Sequence, residues 1–594
     1  MSQLAKSYFQ YVAKSRLGVI NSAAAPVLLC QGGHWALCAS CEDVVVWDVR
    51  KGVALLTLQG GERTVRSLAV SRQGLLVAAG DEGGHVRVYD LSQYKNDDNM
   101  TQTEVVPVCS YKAHRSSVDT LVFVGRERVF SGGADSDIVC WDVVANQGLY
   151  RLKGHSNGVT GLAHIPALVA GDEEEEGSHD EYLVSCSKDT FLKVWHLSSR
   201  LCVQTRVAHA QPVWSLAYCP QRRLLATGGA DQELRLWEVV PSGKGMYTRA
   251  TAPSDQDDEK KDEMQDTDDV DVQIVRLVGD IGVMRRSSKR VVSVQFARGG
   301  RVLLAQSADK QIEVLQVRND QELRQALRRR RTRHKAKQDE TATDGSEAPS
   351  TEMHTVTAGM MLKRMPMLRV SAKVSSFSCH RNTLLIATVD NTVSLFTHRV
   401  EGDSSDEWQT VPLVELAKVD LPGHRSVPRV VALNADASAL LSAANDSAKV
   451  WNVASRKCVR TLLLPAPALC AAFLPGGRHV VIGTKEGTLL LFELGAAALV
   501  QTLTAHDGPV WSLDVRRDGA GLATGGGDGK LKCFDLTLQD GVLQLEHVQT
   551  LELEHDVLCV RYSQERQGDP KYIAASTLDN SIRVFFTDSL KFHL

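Results

Sequence analysis

No run of 18 apolar residues occurs anywhere in this chain of 594 residues, so no membrane-spanning helix is indicated. The first twenty residues, MSQLAKSYFQYVAKSRLGVI, place Lys6, Lys14 and Arg16 among the apolar positions. They have no apolar core of a secretory signal. Charge of one sign is also lacking. The formal net charge is −3, so no global basic field points to nucleic acid. The thirteen cysteines are odd in number and scattered. That pattern fits a reducing compartment, in which cysteine is a small buried hydrophobe. Nor is there a non-repeated polar cluster of the kind a hydrolytic or metal enzyme needs. No catalytic, cofactor-binding or metal-binding residue is assigned, and neither a membrane nor a small-molecule substrate is expected.

What the chain has instead is repetition. The unit is clearest in Val207–Val239, VAHAQPVWSLAYCPQRRLLATGGADQELRLWEV. Strands are expected at Val213–Tyr218, Leu224–Thr227 and Glu233–Glu238, each bounded by turn residues. The second is apolar up to Thr227, as a strand buried on both faces should be. So small a sheet cannot bury its own faces and must stack on neighbours.

An aromatic residue followed by a polar one marks the third strand. It recurs at Trp47-Asp48, Tyr89-Asp90, Trp141-Asp142, Trp195-His196 and Trp237-Glu238. Degraded copies follow at Leu315-Gln316 and Phe396-Thr397, then Trp451-Asn452, Phe492-Glu493, Phe534-Asp535 and Phe585-Phe586, eleven in all. An acidic residue six positions earlier accompanies most copies, such as Asp135, Asp189, Asp231 and Asp528, but the first two copies carry Cys41 and Gly83 there. A Gly-His or Ala-His pair opens five units, among them Gly154-His155 and Ala208-His209. This is the WD-repeat signature, and its period implies four-stranded propeller blades.

In such repeats the His, a Ser or Thr of the second strand, the turn Asp and the Trp form a buried hydrogen-bonded set. Here His155, Ser185, Asp189 and Trp195 match those positions, as do His209, Thr227, Asp231 and Trp237. A Ser/His/Asp grouping also resembles a hydrolytic triad. Copying in several blades favours the structural reading, since buried polar groups need partners and these supply one another. Two other motifs have ordinary readings. Cys38-Ala-Ser-Cys41 has the spacing of a zinc or redox pair, but a strand running through both would point them to opposite sides. Gly525-Gly526-Gly527-Asp528-Gly529-Lys530 lacks the gap and the Ser/Thr of a phosphate loop and sits where every unit turns.

The units differ in their insertions. Gln93–Pro107 is polar, Gly171–Glu181 is GDEEEEGSHDE, and ten acidic residues lie between Asp255 and Asp271. Segments of this kind bury too little apolar surface to order themselves. The basic run includes Arg328, Arg329, Arg330, Arg331, Arg333, Lys335 and Lys337. Three readings stand for it: a nuclear or nucleolar import signal, an RNA-phosphate contact, or a solvated tail. No aromatics interleave it, which argues against base stacking. The acidic stretches are read as solvated loops, with the longer one also a candidate contact for basic ribosomal or nucleolar proteins.

The fold class expected is all-β: tandem WD40 propellers, the first seven-bladed and the second incomplete, with about four blades. The division expected is an N-terminal segment 1–20, a first propeller 21–400 with disordered insertions 241–271 and 317–365, and a partial second propeller 401–594. Four blades do not normally close alone, so the expectation is that the parent chain continues or that another chain supplies the missing blades.

Beyond the repeat, particular strings resemble one family. They are Val44–Gly52 (VVVWDVRKG), Gly148–His155 (GLYRLKGH), Ala468–Phe492 (ALCAAFLPGGRHVVIGTKEGTLLLF), Ala505–Leu513 (AHDGPVWSL), Asp556–Ser563 (DVLCVRYS) and Asp588–Leu594 (DSLKFHL), with Tyr8–Ile20 also similar. The chain resembles the WD-repeat protein three or U-three-protein twelve family from end to end. The resemblance implies a non-enzymatic nucleolar scaffold, a UTP-B subunit of the small-subunit processome. Its implied partners are other WD-repeat UTP-B subunits, U3 small nucleolar RNA and pre-ribosomal RNA, and its implied role is 18S rRNA maturation and 40S subunit assembly. The family also has the rest of a second propeller and a C-terminal helical domain that pairs with a sister subunit, neither of which this sequence includes. A different binding module, a WD40 substrate receptor of a ubiquitin ligase, is the alternative.

Overall fold

A computed structural model describes the chain except residues 1–18, 23–24, 31–32, 34, 95–102, 113, 167–180, 241–273, 281–286, 288, 320, 326–327, 329–357, 381–382, 399–412, 540–541, 564–569, 588 and 590–594. The described residues build eleven sheets, one per copy of the marker. Apolar content decides where each strand of a blade lies. Leu224–Gly229, a second strand, is buried at every position. Leu201–Val207, a fourth strand, is mostly exposed. Strands rich in Leu and Val therefore occupy the interior of each blade, and polar ones form its rim.

In the unit that opened the sequence reading the strands are Val213–Cys219, Leu224–Gly229 and Leu234–Val239, with Val275–Asp280 as the fourth. All are antiparallel neighbours. The chain forms two compact units, Asn21–Asp420 and Leu421–Leu594 with the residues through Ile20.

The first unit has seven blades, and its innermost strands touch in sequence: Leu28–Cys30, Val65–Val70, Val118–Val124, Val159–Ile165, Val213–Cys219, Val291–Ala297 and Val374–His380. Strand Val374–His380 also touches Leu28–Cys30, so the ring closes. Neighbouring inner strands share one direction. Ser67 Oγ donates to Val118 O at 2.8 Å and Thr160 Oγ1 to Val213 O at 2.7 Å, each near the start of both strands. One face of the ring thus carries the unit openings and the second-to-third strand turns. The other carries the first-to-second and third-to-fourth connections.

The second unit has four blades, with inner strands Val430–Leu433, Ala468–Phe473, Val510–Val515 and Val557–Tyr562 in contact in that order. The outer faces of its end blades leave apolar side chains exposed, Val431 at 65% and Leu433 at 57% on one, Ile582 at 72% on the other. In the same unit Val19 O accepts a hydrogen bond from Gly423 N at 2.9 Å.

The insertions depart from expectation in two places. Thr103–Val105 does not stay apart: it adds a fifth, parallel strand to blade 1 beside Leu56–Leu58, and Val105 is buried there. The stretch 317–365 is not disordered throughout. Leu362–Arg364 pairs with Leu315–Val317 as the fourth strand of blade 6, preceded by a helical turn Ala358–Met361. Residues 321–325 are helical as well. Apolar anchors explain both ends, because Leu323, Ala358, Met361 and Leu362 lie in one cluster with Leu315 and Val317. The insertion 241–271, the acidic 171–180 and Arg329 to Lys337 lie outside the described residues.

Candidate functional site

The structure brings the two predicted sets together. His155 Nε2 lies 2.7 Å from Ser185 Oγ and its Nδ1 2.8 Å from Asp189, while Trp195 Nε1 donates to Ser185 Oγ at 2.8 Å. His209 repeats the pattern on Thr227 at 2.9 Å and Asp231 at 3.0 Å, with Trp237 Nε1 donating to Thr227 Oγ1 at 3.0 Å. Two further sets have the same form, His114–Ser131–Asp135 with Trp141 and His506–Thr524–Asp528. In the last, Phe534 stands where the others have Trp. Burial lowers the pKa of His155, His209 and His506, keeping the imidazoles neutral. In Asp189 and Asp528 burial acts to raise the pKa, but the imidazole hydrogen bond and the backbone donors outweigh it, and both carboxyls sit below their ordinary value. In the sets that have Trp, the Ser or Thr hydroxyl is shared between a histidine and an indole and is buried inside its blade. Such a hydroxyl fixes rotamers.

Blade 2 reaches the same end with other residues. Asp81, buried at the close of the second strand, accepts from Arg87 Nη1 at 2.9 Å and from the Gly83 and His85 amides. The acid was missed in the sequence because it stands two residues before the expected position. Gly61 in the opening loop leaves room for the Arg87 guanidinium, where a Cβ would lie 2.1 Å from Nη2.

The remaining motifs resolve locally. The strand Trp35–Ser40 stops before Cys41, which sits in a turn with φ 55°. Burial pushes the Cys38 thiol up to about 12, which disfavours the thiolate that redox or zinc chemistry uses. Gly525 and Gly526 end a strand whose Cβ positions are taken by Val557 and His506. Among the described residues His209, Asp231 and Glu233 place ligand atoms within 4.8 Å of one another. Yet His209 is bonded to Asp231, and Glu233 is paired with Arg235 at 2.7 Å.

Two surfaces of the first unit carry exposed chemistry. Pairing skips the second residue of most inner strands, a bulge that recurs at Arg66, Asp119, Thr160 and Trp214. Bulges re-aim side chains, and three of these meet around the mouth of the ring. Arg66 pairs with Asp119 at 3.3 Å, Lys188 reaches Asp119 at 3.8 Å, and Lys188 and Arg290 lie 5.6 and 5.0 Å from the Trp214 ring. The opposite face bears the attachment points of the insertions. Of the predicted basic residues only Arg328 is described, and it is exposed.

The comparisons with known proteins bear on the whole array. The model of the WDR3 first beta-propeller domain matches residues 34–239, and that of the WDR3 second beta-propeller domain matches 428–594. The chain belongs to the WDR3 family. It is similar to U3 small nucleolar RNA-associated protein 12 of Saccharomyces cerevisiae, 29% identical over 100% of this chain and 60% of the yeast protein. It is also similar to WD repeat-containing protein 3 of Mus musculus, 32% identical over 52% of this chain and 33% of that one. The WD repeat-containing protein 3 homolog of Dictyostelium discoideum is 35% identical over 38% of this chain and 24% of its own length. The chain thus spans less than two thirds of the length of each of these relatives.

Proposed function

We propose that this chain is a non-catalytic scaffold of ribosome biogenesis. It acts in the nucleolus as a UTP-B component of the small-subunit processome, associated with U3 small nucleolar RNA and pre-ribosomal RNA for 18S rRNA maturation and 40S assembly. The similarity to the yeast U3-associated protein over all of this chain carries the reading. The repeated His/Ser/Asp/Trp sets support it, because a hydroxyl that accepts the indole N–H and donates to the neutral imidazole is tied on both sides within its blade, and the same set recurs from blade to blade. Rigid blades hold the surfaces in place, and loops do the recognising. The basic residues Arg328, Arg329, Arg330, Arg331, Arg333, Lys335 and Lys337 serve import, RNA contact or both.

The test is purification of the tagged protein from cells with identification of bound RNA and proteins together. U3 RNA and WD-repeat UTP-B subunits are expected. Their absence, with cullin adaptors in their place, would instead support a substrate receptor. The Trp214 mouth with its flanking Lys188 and Arg290 is the surface such a receptor would use. For the basic run, glutamine at all seven positions is expected to abolish nucleolar accumulation or RNA crosslinking. Both unchanged would remove the run from the proposal.

A further inference from the structure

The connections of blades 5 and 6 on the insertion-bearing face are unusually rich in one residue. The first-to-second strand turn of blade 5 carries Arg222, that of blade 6 carries Arg298 and Arg301, and the segment after the third strand of blade 6 carries Arg318, Arg324 and Arg328. Topology puts all six at the same end of two neighbouring blades. Contacts join them into one surface. Arg222 Nη2 donates to Asn319 Oδ1 at 2.6 Å, and a Cβ on Gly300 would lie 2.8 Å from Arg222 Cγ, so the two blades' turns touch. Arg318 Nη1 donates to Met360 O at 2.8 Å, tying the segment to the helical turn that precedes the fourth strand.

The segment bearing Arg324 and Arg328 is held to the same place. Leu323 is buried at 8% among the core side chains of blades 5 and 6. Arg324 follows it directly within the helical residues 321–325 and is exposed, as is Arg328. The basic run therefore starts from a fixed point on the fold. Like charges crowd here: burial, with the nearby Arg301 charge adding to it, pushes the Arg298 pKa down to about 10. A cluster of cations gathered on a rigid surface is stabilised by bringing in an anion.

We propose that the face formed by Arg222, Arg298, Arg301, Arg318, Arg324 and Arg328 is a docking surface for the phosphate backbone of duplex RNA. The inference rests on the ribosome-biogenesis reading for its biological RNA and adds the surface that touches it. Arginine is the chemistry expected of phosphate contact, since its planar fork gives two parallel hydrogen bonds to phosphate oxygens. Guanidinium contacts of this kind read the backbone, so contact is set by shape and charge more than by sequence. Spread over two blades and a helical turn, it suits an extended polyanion better than a single phosphate.

The experiment uses the full chain and three probes: a 20-base-pair RNA duplex, oligo-uridine of equal charge, and poly-glutamate of equal charge. The test variant replaces Arg301, Arg324 and Arg328 by Gln. All three are exposed, so the fold is expected to survive, and circular dichroism and the melting temperature check that it does. A second variant places Lys at the same positions. The glutamine variant is expected to bind the duplex about 10- to 100-fold more weakly, with its log–log salt slope lower by about three. The lysine variant should keep the slope and part of the affinity. Unchanged affinity and slope in the glutamine variant would overturn the proposal. Equal or tighter binding of poly-glutamate would also overturn it, in favour of an acidic protein, and preference for oligo-uridine would overturn the duplex assignment. Co-purification of U3 RNA with the wild-type chain separates the two levels. If U3 RNA is present while the glutamine variant binds duplex normally, the surface is wrong and the reading stands. If U3 RNA is absent, the reading fails whatever the surface does.

Discussion

Thr227 shows how much a blade can hang on one hydroxyl. It takes the Trp237 indole N–H and faces His209 Nε2, and it is fully buried. Thr227→Ala leaves both groups without that partner, and each unmade buried hydrogen bond costs about 1–3 kcal/mol. Trp237→Phe removes a donor but leaves Thr227 with His209. Phe534 already stands in that position beside an intact His506–Thr524 contact. Urea denaturation should therefore show a larger midpoint loss for Thr227→Ala than for Trp237→Phe, and the reverse order would contradict the shared-hydroxyl account. The same sets predict an acid response. The folded-state pKa of His155, His209 and His506 is below the ordinary 6.5, so below that pH the unfolded chain binds more protons than the native one. Stability from these residues is full above about pH 6.5 and drains as pH falls. Asp189 and Asp528, held below 3.8, add a second loss below that value. The melting temperature should be level from pH 8 to 7, decline below 6.5 and fall further below 4. A level profile down to pH 5 would show that the histidines do not carry this linkage.

At the scale of elements, connections between blades were harder to read than blades themselves. The third-strand aromatics and their acids were legible because a fixed second-to-third strand turn sets their spacing in a single short stretch of chain. Asp81 was not, since a carboxylate two residues earlier reaches the same place by a different path. Thr103–Val105 was not, because its stability comes from a distant parallel partner and its own sequence is polar. Leu323 was hidden among the charges that follow it. Gln204 was also passed over, although Val-Gln-Thr recurs at Val203–Thr205 and Val500–Thr502. Each glutamine amide fills the backbone of the next blade's fourth strand, Gln204 on both N and O of Val275 and Gln501 on both of Leu545. Gln501→Leu breaks two such bonds at once and is expected to destabilise the seam between blades 9 and 10 by about 1–3 kcal/mol. Faster hydrogen exchange at the Leu545 amide, with Val275 unchanged, would be the result. Leu323→Asp should act on a different element. It releases the helical turn and makes the bond after Arg324 sensitive to trypsin while the blades melt as before. Equal cleavage in both proteins would show that Leu323 does not anchor the turn.

For the whole first unit the question is how a ring of separate sheets stays shut. Blade 1 takes its four main strands from residues 28–58 and blade 7 from 374–420, and no strand is shared between them. Closure therefore rests on side chains. Val27 N donates to Ser376 Oγ at 3.0 Å and Leu29 N to Ser378 Oγ at 3.2 Å, and Asn21 Nδ2 reaches Ser375 Oγ at 3.0 Å. Ser376 and Ser378 are buried, so water does not readily replace them. Every other seam in this ring joins blades that follow one another in sequence, and the chain linking them limits how far they separate. The seam between blades 7 and 1 brings together residues about 350 apart, and loop closure over that length costs entropy that only the seam's own contacts offset. It should be the first to open. Ser376→Ala with Ser378→Ala leaves two buried amides without an acceptor, at about 1–3 kcal/mol each. Hydrogen exchange at Val27 and Leu29 is expected to accelerate, with exchange in Val213–Cys219 unchanged and the global melting temperature lowered by less than the local loss suggests. Uniform acceleration around all seven blades would mean that the ring opens only as a whole, and that the seam has no separate stability to lose.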